Sequence, residues 1–265
     1  MIHPTAIIHP GARIGARVQV GPYSVIEDGV EVGDDSEISA HVYLLKGTRL
    51  GSRNQLHAGC VIGGAPQDLR FKKAETEVVI GEENVIREHV TIHRSNNPSE
   101  PTRLGSNNLL MAGCHLGHNT DVGNHVIIAN GALLAGHVKV GDRVFISGNC
   151  LVHQFVRIGT LALMQGGSGV SKDLPPYTIA RGANKVSGLN IVGMRRAGFT
   201  SDERLELKRL YHAIFRRKLS FHEAVENARA EFTSEKSRVL LDFVASAKRG
   251  ICSSKTKSTE PYDAD

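Results

Sequence analysis

The feature that most constrains this chain is a six-residue period. Reading every sixth residue from Ile2 to Val170 gives 29 positions, of which 26 are aliphatic or Met; the exceptions are Asp68, Ala74 and Pro98. An amphipathic helix repeats near 3.6 residues and a half-buried strand at 2, so neither accounts for a period of six. Glycine often follows the aliphatic residue (Gly15, Gly33, Gly105, Gly141), and a small or β-branched residue tends to stand four places after it (Ala12, Val18, Ser24, Cys60). A hexad is a short strand plus a turn, and three hexads close a triangular coil of about 18 residues. The aliphatic residue then points inward and stacks on its equivalent one coil later, with the neighbouring Gly or Asn permitting the corner. An all-β solenoid over residues 1–190 follows.

Composition agrees. Aromatic residues make up only 5% of the chain and Trp is absent, which suits thin stacked layers filled by aliphatic side chains. No run of 18 apolar residues exists, and Met1-Ile2-His3-Pro4-Thr5 has no basic stretch leading into an apolar core, so neither a transmembrane segment nor a secretory signal is expected. The formal charge of +5 is C-terminal: residues 195–250 carry 13 basic and 8 acidic side chains, residues 1–194 carry 17 and 16.

The missed frame positions mark loop excursions at 64–78 and 94–102, rich in Pro, Asn, Lys and Glu. Because 62, 80, 98, 116, 134 and 152 differ by multiples of 18, both leave from one corner. The period alone does not say whether 64–78 protrudes or replaces part of a coil; a protruding loop is preferred. Beyond Pro175-Pro176 the frame fails, and residues 191–252 read as an α-helical C-terminal domain. Thr200, Ser201 or Asp202 caps its first helix, Ser220 with Glu223 makes a capping box, and a third helix runs from near Ser234 to Gly250. The tail 253–265 has no apolar pattern and is expected to be disordered.

Cys60, Cys114 and Cys150 share the small-residue slot in one column. The closest two are two coils apart, roughly 9.6 Å at ~4.8 Å per coil, too far for a disulfide. They read as core fillers in a reducing, cytoplasmic setting. The 13 histidines are more informative. His118 stands two places after Leu116, His137 three after Leu134, His153 one after Val152, and His115 one before Leu116. Three successive coils thus bring four imidazoles to one edge, overhung by loops. Zinc ligation of the carbonic anhydrase type needs two histidines five residues apart, and no pair has that spacing, so no metal and no other cofactor is expected. Acyl transfer needs a histidine base and a backbone N–H for the oxyanion, which Gly136 beside His137 can supply.

The segments Gln67-Asp68-Leu69-Arg70, Val90-Thr91-Ile92-His93-Arg94, Leu134-Ala135-Gly136-His137, Val152-His153-Gln154-Phe155 and Gly193-Met194-Arg195-Arg196 resemble the UDP-N-acetylglucosamine O-acyltransferases, hexapeptide-repeat enzymes that open lipid A synthesis. The resemblance covers about residues 1–250. It implies a left-handed parallel β-helix, a homotrimer with its sites between subunits, and transfer of a 3-hydroxyacyl chain from acyl carrier protein to the glucosamine 3-hydroxyl. It implies His118 as general base and Gly136 as oxyanion donor. Gln67, Asp68, Arg70, His93, His115 and His137 match substrate contacts, the sugar side among them, and His153, Gln154, Asn190 and Arg196 match nucleotide-side contacts. The resemblance runs the acyl-chain channel from His118 toward the later coils, where Gly166 either leaves room for the chain or serves the backbone of a turn. The chain departs from the family at Asn119, where an Asp commonly follows the base, and at Ala197, which displaces an Arg. Two alternatives stand beside this reading: a sibling acyltransferase using a 3-amino UDP-sugar, and a non-catalytic solenoid scaffold. The basic residues Lys208, Arg209, Arg216, Arg217 and Lys218 suit the acidic carrier protein. No base-reading motif or stacking aromatics accompany them, so nucleic acid is not expected as a partner.

Overall fold

A computed structural model describes residues 1–215 and 221–253, apart from the side chain of His222. Strands of two to four residues alternate with turns, and as far as Gly169–Val170 every third strand joins the same sheet. Nine strands from Ile7–Ile8 to Gly169–Val170 form the first face, eight from Arg13–Ile14 to Arg157–Ile158 the second, and ten from Gln19–Val20 to Val186–Leu189 the third. Pairing is parallel with a step of one coil: Ile8 lies opposite Ile26, and Leu134 opposite Val152. Among the described strand pairs only the last, Thr178–Ala180 with Val186–Leu189, is antiparallel.

The hexad residues fill the interior. Ile26, Leu44, Ile62, Ile92, Leu116 and Leu134 make one buried column, and Cys60, Val90, Cys114, Ala132 and Cys150 another. All four cysteines are buried and free. Burial pushes the Cys60 thiol up to about 11 and those of Cys114 and Cys252 to about 12, which removes their nucleophilic thiolates at neutral pH. Asn54, Asn84 and Asn108 stack as an internal ladder in which each Oδ1 accepts the backbone N–H one coil later.

Two readings need correction. Ile80 does not stand over Ile62. Ile62 pairs with Ile92 and Ile92 with Leu116, while Ile80 pairs with Leu50 on the second face. One coil therefore spans 30 residues and the next 24. The excursions add twelve and six, whole hexads, so the frame survives them although the column arithmetic does not. Both still leave the first face, after Val61–Gly64 and after Thr91–His93.

Except at Gly63 (φ +85°), the glycine after the aliphatic residue does not shape the corner by its backbone freedom. Left-handed φ occurs two places later, at residues such as Arg17, Asp35, Asn119 and His137. After every second-face strand, from Gly15 to Gly159, the glycine instead lets one coil settle on the next. A Cβ on Gly33 would stand 2.5 Å from the Gly51 carbonyl carbon, and one on Gly51 2.6 Å from the Gly81 oxygen.

The chain then forms helices α1 (Ile191–Arg196), α2 (Ser201–Phe215), α3 (Phe221–Glu231) and α4 (Glu235–Ala245). Thr200 caps α2 through a capping box with Glu203, and Ser234 caps α4. Helix α4 ends at Ala245, short of Gly250, whose φ of +74° turns the chain back so that Ile251 bridges Asp173 and Ser253 bridges Lys185. Ser253 thus belongs to the folded body. The Ser220 half of the expected capping box, Arg216, Arg217 and Lys218, and the tail beyond Ser253 lie outside the described residues. No helix among the described residues is long and apolar enough to cross a membrane.

The corner packing makes a sharp prediction. Gly33→Ala forces a Cβ against unyielding backbone and is expected to destabilise by about 1–3 kcal/mol. Gly188→Ala, where nothing lies within 4 Å, is expected to stay within ~0.5 kcal/mol. Urea unfolding of the two variants checks this; equal effects would contradict the close-approach account.

Candidate active site

The site begins with the strand His115–Leu116. Leu116 points into the core, so His115 faces outward onto the first face. The following turn carries His118 and then Asn119 at φ +58°, a conformation that Asn tolerates better than most residues. His137 (φ +60°) and Phe155 (φ +64°) hold the same turn position one and two coils later.

Asn119 is the hinge between the loops and the histidine. Its Nδ2 donates to Ser95 Oγ at 2.8 Å and to the Glu100 carbonyl at 3.0 Å. Its backbone N–H donates to Thr102 Oγ1 at 2.7 Å. A carbonyl oxygen can only accept, so the amide orientation is fixed and Oδ1 faces His118 Nδ1 at 2.9 Å. The same Oδ1 accepts from the Asn96 N–H. Nδ1 of His118 must then carry the ring proton, leaving Nε2 with a lone pair. Nε2 lies 2.6 Å from where a Cβ on Gly136 would stand, so any side chain at 136 would displace it. The Gly136 N–H donates to no described group. Gly117 keeps it open, since a Cβ there would come within 2.8 Å of that nitrogen.

Burial biases three neighbouring histidines toward the neutral ring. His93 and His115 meet edge to face at 4.6 Å, and Thr91 Oγ1 lies 2.7 Å from His115 Nδ1. Burial, then repulsion from His115 and His118, lowers His93 to about 4. Burial lowers His115 and His137 as well. His137 packs edge-on to His118 at 5.1 Å and stacks on Phe155 at 4.6 Å.

A groove of about 550 Å³ runs over the first face from this point. Gln67, His93, His115, His118 and Gly136 line one end, His153 and Gln154 the continuation, with Leu133, Leu151 and Gly169 along the floor. Other expected residues stand outside it. Asp68 accepts from Asn96 Nδ2 and from the Arg70 N–H, which hold its carboxyl below the usual range, and the Arg70 side chain is exposed beside it. Asn190 is a buried N-cap: its Oδ1 accepts from Gly193 N–H and its Nδ2 donates to the Leu161 carbonyl, so its place is to start α1, on which Arg196 is exposed. Gly166 is exposed on the corner leading into Gly169–Val170. Arg209 is paired with Glu231 at 3.0 Å rather than free. Ser95, Asn96 and Glu100 escaped the sequence reading because an irregular loop has no period to place them; Thr102 opens the strand Thr102–Leu104, where it is buried opposite Val78. Leu133 and Leu151 had a signal, an apolar residue on the outward side of a hexad.

The neutral state of His93 has a measurable consequence. An imidazole whose pKa falls on folding disfavours the folded state where only the unfolded chain is protonated, so stability is expected to drop as pH falls from about 6.5 to about 4. His93→Gln should flatten that part of the stability–pH curve; an unchanged slope would remove His93 as its source.

The comparisons with known proteins agree with this geometry. Residues 173–252 match the family model "Udp N-acetylglucosamine O-acyltransferase; Domain 2", and residues 11–46 and 101–136 match bacterial transferase hexapeptide repeats. A Syntrophobacter fumaroxidans protein named acyl-[acyl-carrier-protein]–UDP-N-acetylglucosamine O-acyltransferase is 41% identical over 254 residues, covering 94% of this chain and 98% of its own. A relative of the same name from Saccharophagus degradans is 43% identical over 257 residues, again 94% and 98%. The crystal structure of a UDP-N-acetylglucosamine acyltransferase from Bacteroides fragilis superposes with a TM-score of 0.91 at 40% identity, covering 95% of this chain and 99% of that one. The coil is a left-handed parallel β-helix.

Proposed function

The chain belongs to the acyl-[acyl-carrier-protein]–UDP-N-acetylglucosamine O-acyltransferase family, and from that premise we propose that it transfers a 3-hydroxyacyl chain from acyl carrier protein to the 3-hydroxyl of UDP-N-acetylglucosamine, the first step of lipid A synthesis in the cytoplasm. The observation that carries the reading is the His118 Nε2 lone pair facing the Gly136 backbone, with the ring proton held on Nδ1 by Asn119. Nε2 takes the proton of the sugar hydroxyl as its oxygen attacks the thioester carbonyl. The oxyanion of the tetrahedral adduct accepts from the Gly136 N–H. Collapse breaks the C–S bond, and the imidazolium returns the proton to the departing pantetheine thiolate. Asn119 orients the base as the family's Asp does, without a charge.

His93, His115, His137, Gln67, Asp68 and Arg70 surround the sugar in this reading, and His153, Gln154 and Arg196 the nucleotide, with Asn190 fixing the helix that presents Arg196. One chain does not bring Arg196 to the groove, and a homotrimer supplies the missing contact. Outward residues support it. The second face is a charged ladder that includes Arg13, Glu31, Arg49, Asp121 and Lys139, suited to water. The first exposes Ile7, Tyr43, Leu133 and Leu151, and the later third face carries Leu109, Ile127, Phe145 and Leu163. Two apolar faces and one polar face are what a three-fold assembly of prisms requires.

The test is product analysis by mass spectrometry with UDP-N-acetylglucosamine and 3-hydroxyacyl carrier protein. A 3-O-acyl product is expected, and His118→Ala should cut turnover ~10²–10⁴-fold with trimer and melting intact. No product, or a variant above half of normal turnover, would defeat the reading.

Gly166 fits the end of the acyl channel. Its φ lies outside the left-handed region and a Cβ would meet nothing closer than the Gly148 oxygen at 3.6 Å, so the backbone does not require glycine there. Gly166→Met is expected to fold normally and to shift competition between 3-hydroxydecanoyl and 3-hydroxymyristoyl donors toward the shorter, each methylene being worth ~0.8 kcal/mol. Equal loss on both donors would exclude the channel role.

A further inference from the structure

We propose that Arg249, acting with His153, forms a phosphate-binding subsite at the far end of the groove from His118. The proposal rests on the acyltransferase reading, in which both substrates carry phosphoesters. Arg249 follows α4, in the segment that folds back over the last coil, and its Nε donates to the Ser171 carbonyl at 3.2 Å. Its Nη2 lies 3.3 Å from His153 Nδ1. Ser171 and His153 both line the groove. The C-terminal segment therefore delivers a cation to the mouth of a site built from the β-helix, 96 residues away in sequence.

Charge points the same way. Arg249 has no carboxylate partner among the described residues. The carboxylate of nearby Asp173 is buried and bound to Arg157 at 2.8 Å. Lys172, a second exposed cation, runs beside the segment, its Cδ 3.9 Å from where a Cβ on Gly250 would stand. His153 Nδ1 lies 3.2 Å from the Gln154 carbonyl as well as beside the guanidinium. The carbonyl calls for a protonated Nδ1 and the guanidinium for a lone pair, so the two compete for that one nitrogen. The guanidinium N–H groups left free by Ser171 and His153 form a donor set whose planar fork suits a phosphate, with the His153 ring beside it.

Position sets which phosphate is in reach. Val152 and Val170 lie two and three coils from Leu116, so the subsite is ~10–14 Å along the axis from the base. A diphosphate begins roughly 6–9 Å from a sugar 3-hydroxyl, and the phosphodiester of an extended pantetheine arm roughly 17 Å from its thioester, by bond lengths. The two sources bracket the span, and both offer the same chemistry.

Calorimetry on the full chain separates them. The ligands are two pairs: UDP with uridine, and phosphopantetheine with pantetheine. Arg249→Ala is expected to weaken the phosphorylated member of one pair about ten- to a hundredfold, the loss of a charge-assisted contact, and to leave its unphosphorylated partner within about twofold. The pair affected identifies the source, and Arg249→Lys should keep most of the affinity. Should Arg249→Ala unfold, Arg249→Gln, which retains neutral donors, carries the same comparison. Unchanged affinity for both phosphorylated ligands, or equal loss with and without phosphate, overturns the subsite. An unaltered protein that binds neither UDP nor phosphopantetheine overturns the acyltransferase reading and the subsite with it.

Discussion

The stacking of one coil's backbone on the next governs everything else in this molecule. Parallel hydrogen bonding holds neighbouring strands at a fixed spacing, so a residue and its equivalent one coil later must share a column. Columns that point inward accept only what stacks, which is why Leu116, Leu134 and Val152 follow one another and why Asn54, Asn84 and Asn108 form a ladder whose side-chain oxygens accept the backbone N–H of the next coil. The second-face corner is the tightest point of this packing. There a single Cβ would drive two backbones apart, and glycine recurs coil after coil. The two excursions leave the first face and amount to whole hexads, so the six-residue frame passes through them unbroken.

The candidate site uses that regularity and one break in it. Regular stacking supplies a column of turn residues, Asn119, His137 and Phe155, all at positive φ. It also supplies the Gly136 amide and the apolar floor. The excursion 94–102 supplies what stacking cannot: hydroxyl and carbonyl acceptors at Ser95 and Glu100 that hold the Asn119 amide in one orientation. A solenoid without the loop would present His118 with either ring nitrogen protonated. The loop converts a histidine on a turn into a base with its lone pair aimed at one place.

How much of this the sequence revealed follows the same division. The solenoid, its three-hexad coil and the clustering of His115, His118, His137 and His153 were legible, because each depends on a period that counting detects. The pairing of Ile62 with Ile92 was not, since two insertions of whole hexads leave the count unchanged. The role of the corner glycines was misassigned, because contact between coils has no local signature whereas backbone freedom is glycine's familiar use. Ser95 could not be placed, as a loop residue finds its partner only when the coil brings Asn119 beneath it. The same holds for Arg249, which reaches His153 only after four helices have been laid against the prism.

The claim on which the account turns is the protonation pattern of one ring: the proton on Nδ1 of His118, the lone pair on Nε2. Long-range ¹H–¹⁵N correlation spectra of protein labelled at the histidine ring nitrogens, recorded above neutral pH, read it directly. The account predicts a protonated Nδ1 and an unprotonated Nε2 for His118, with the preference weakened when Ser95→Ala removes one anchor of Asn119. A His118 ring that carries its proton on Nε2 would contradict it, since no base would then face Gly136.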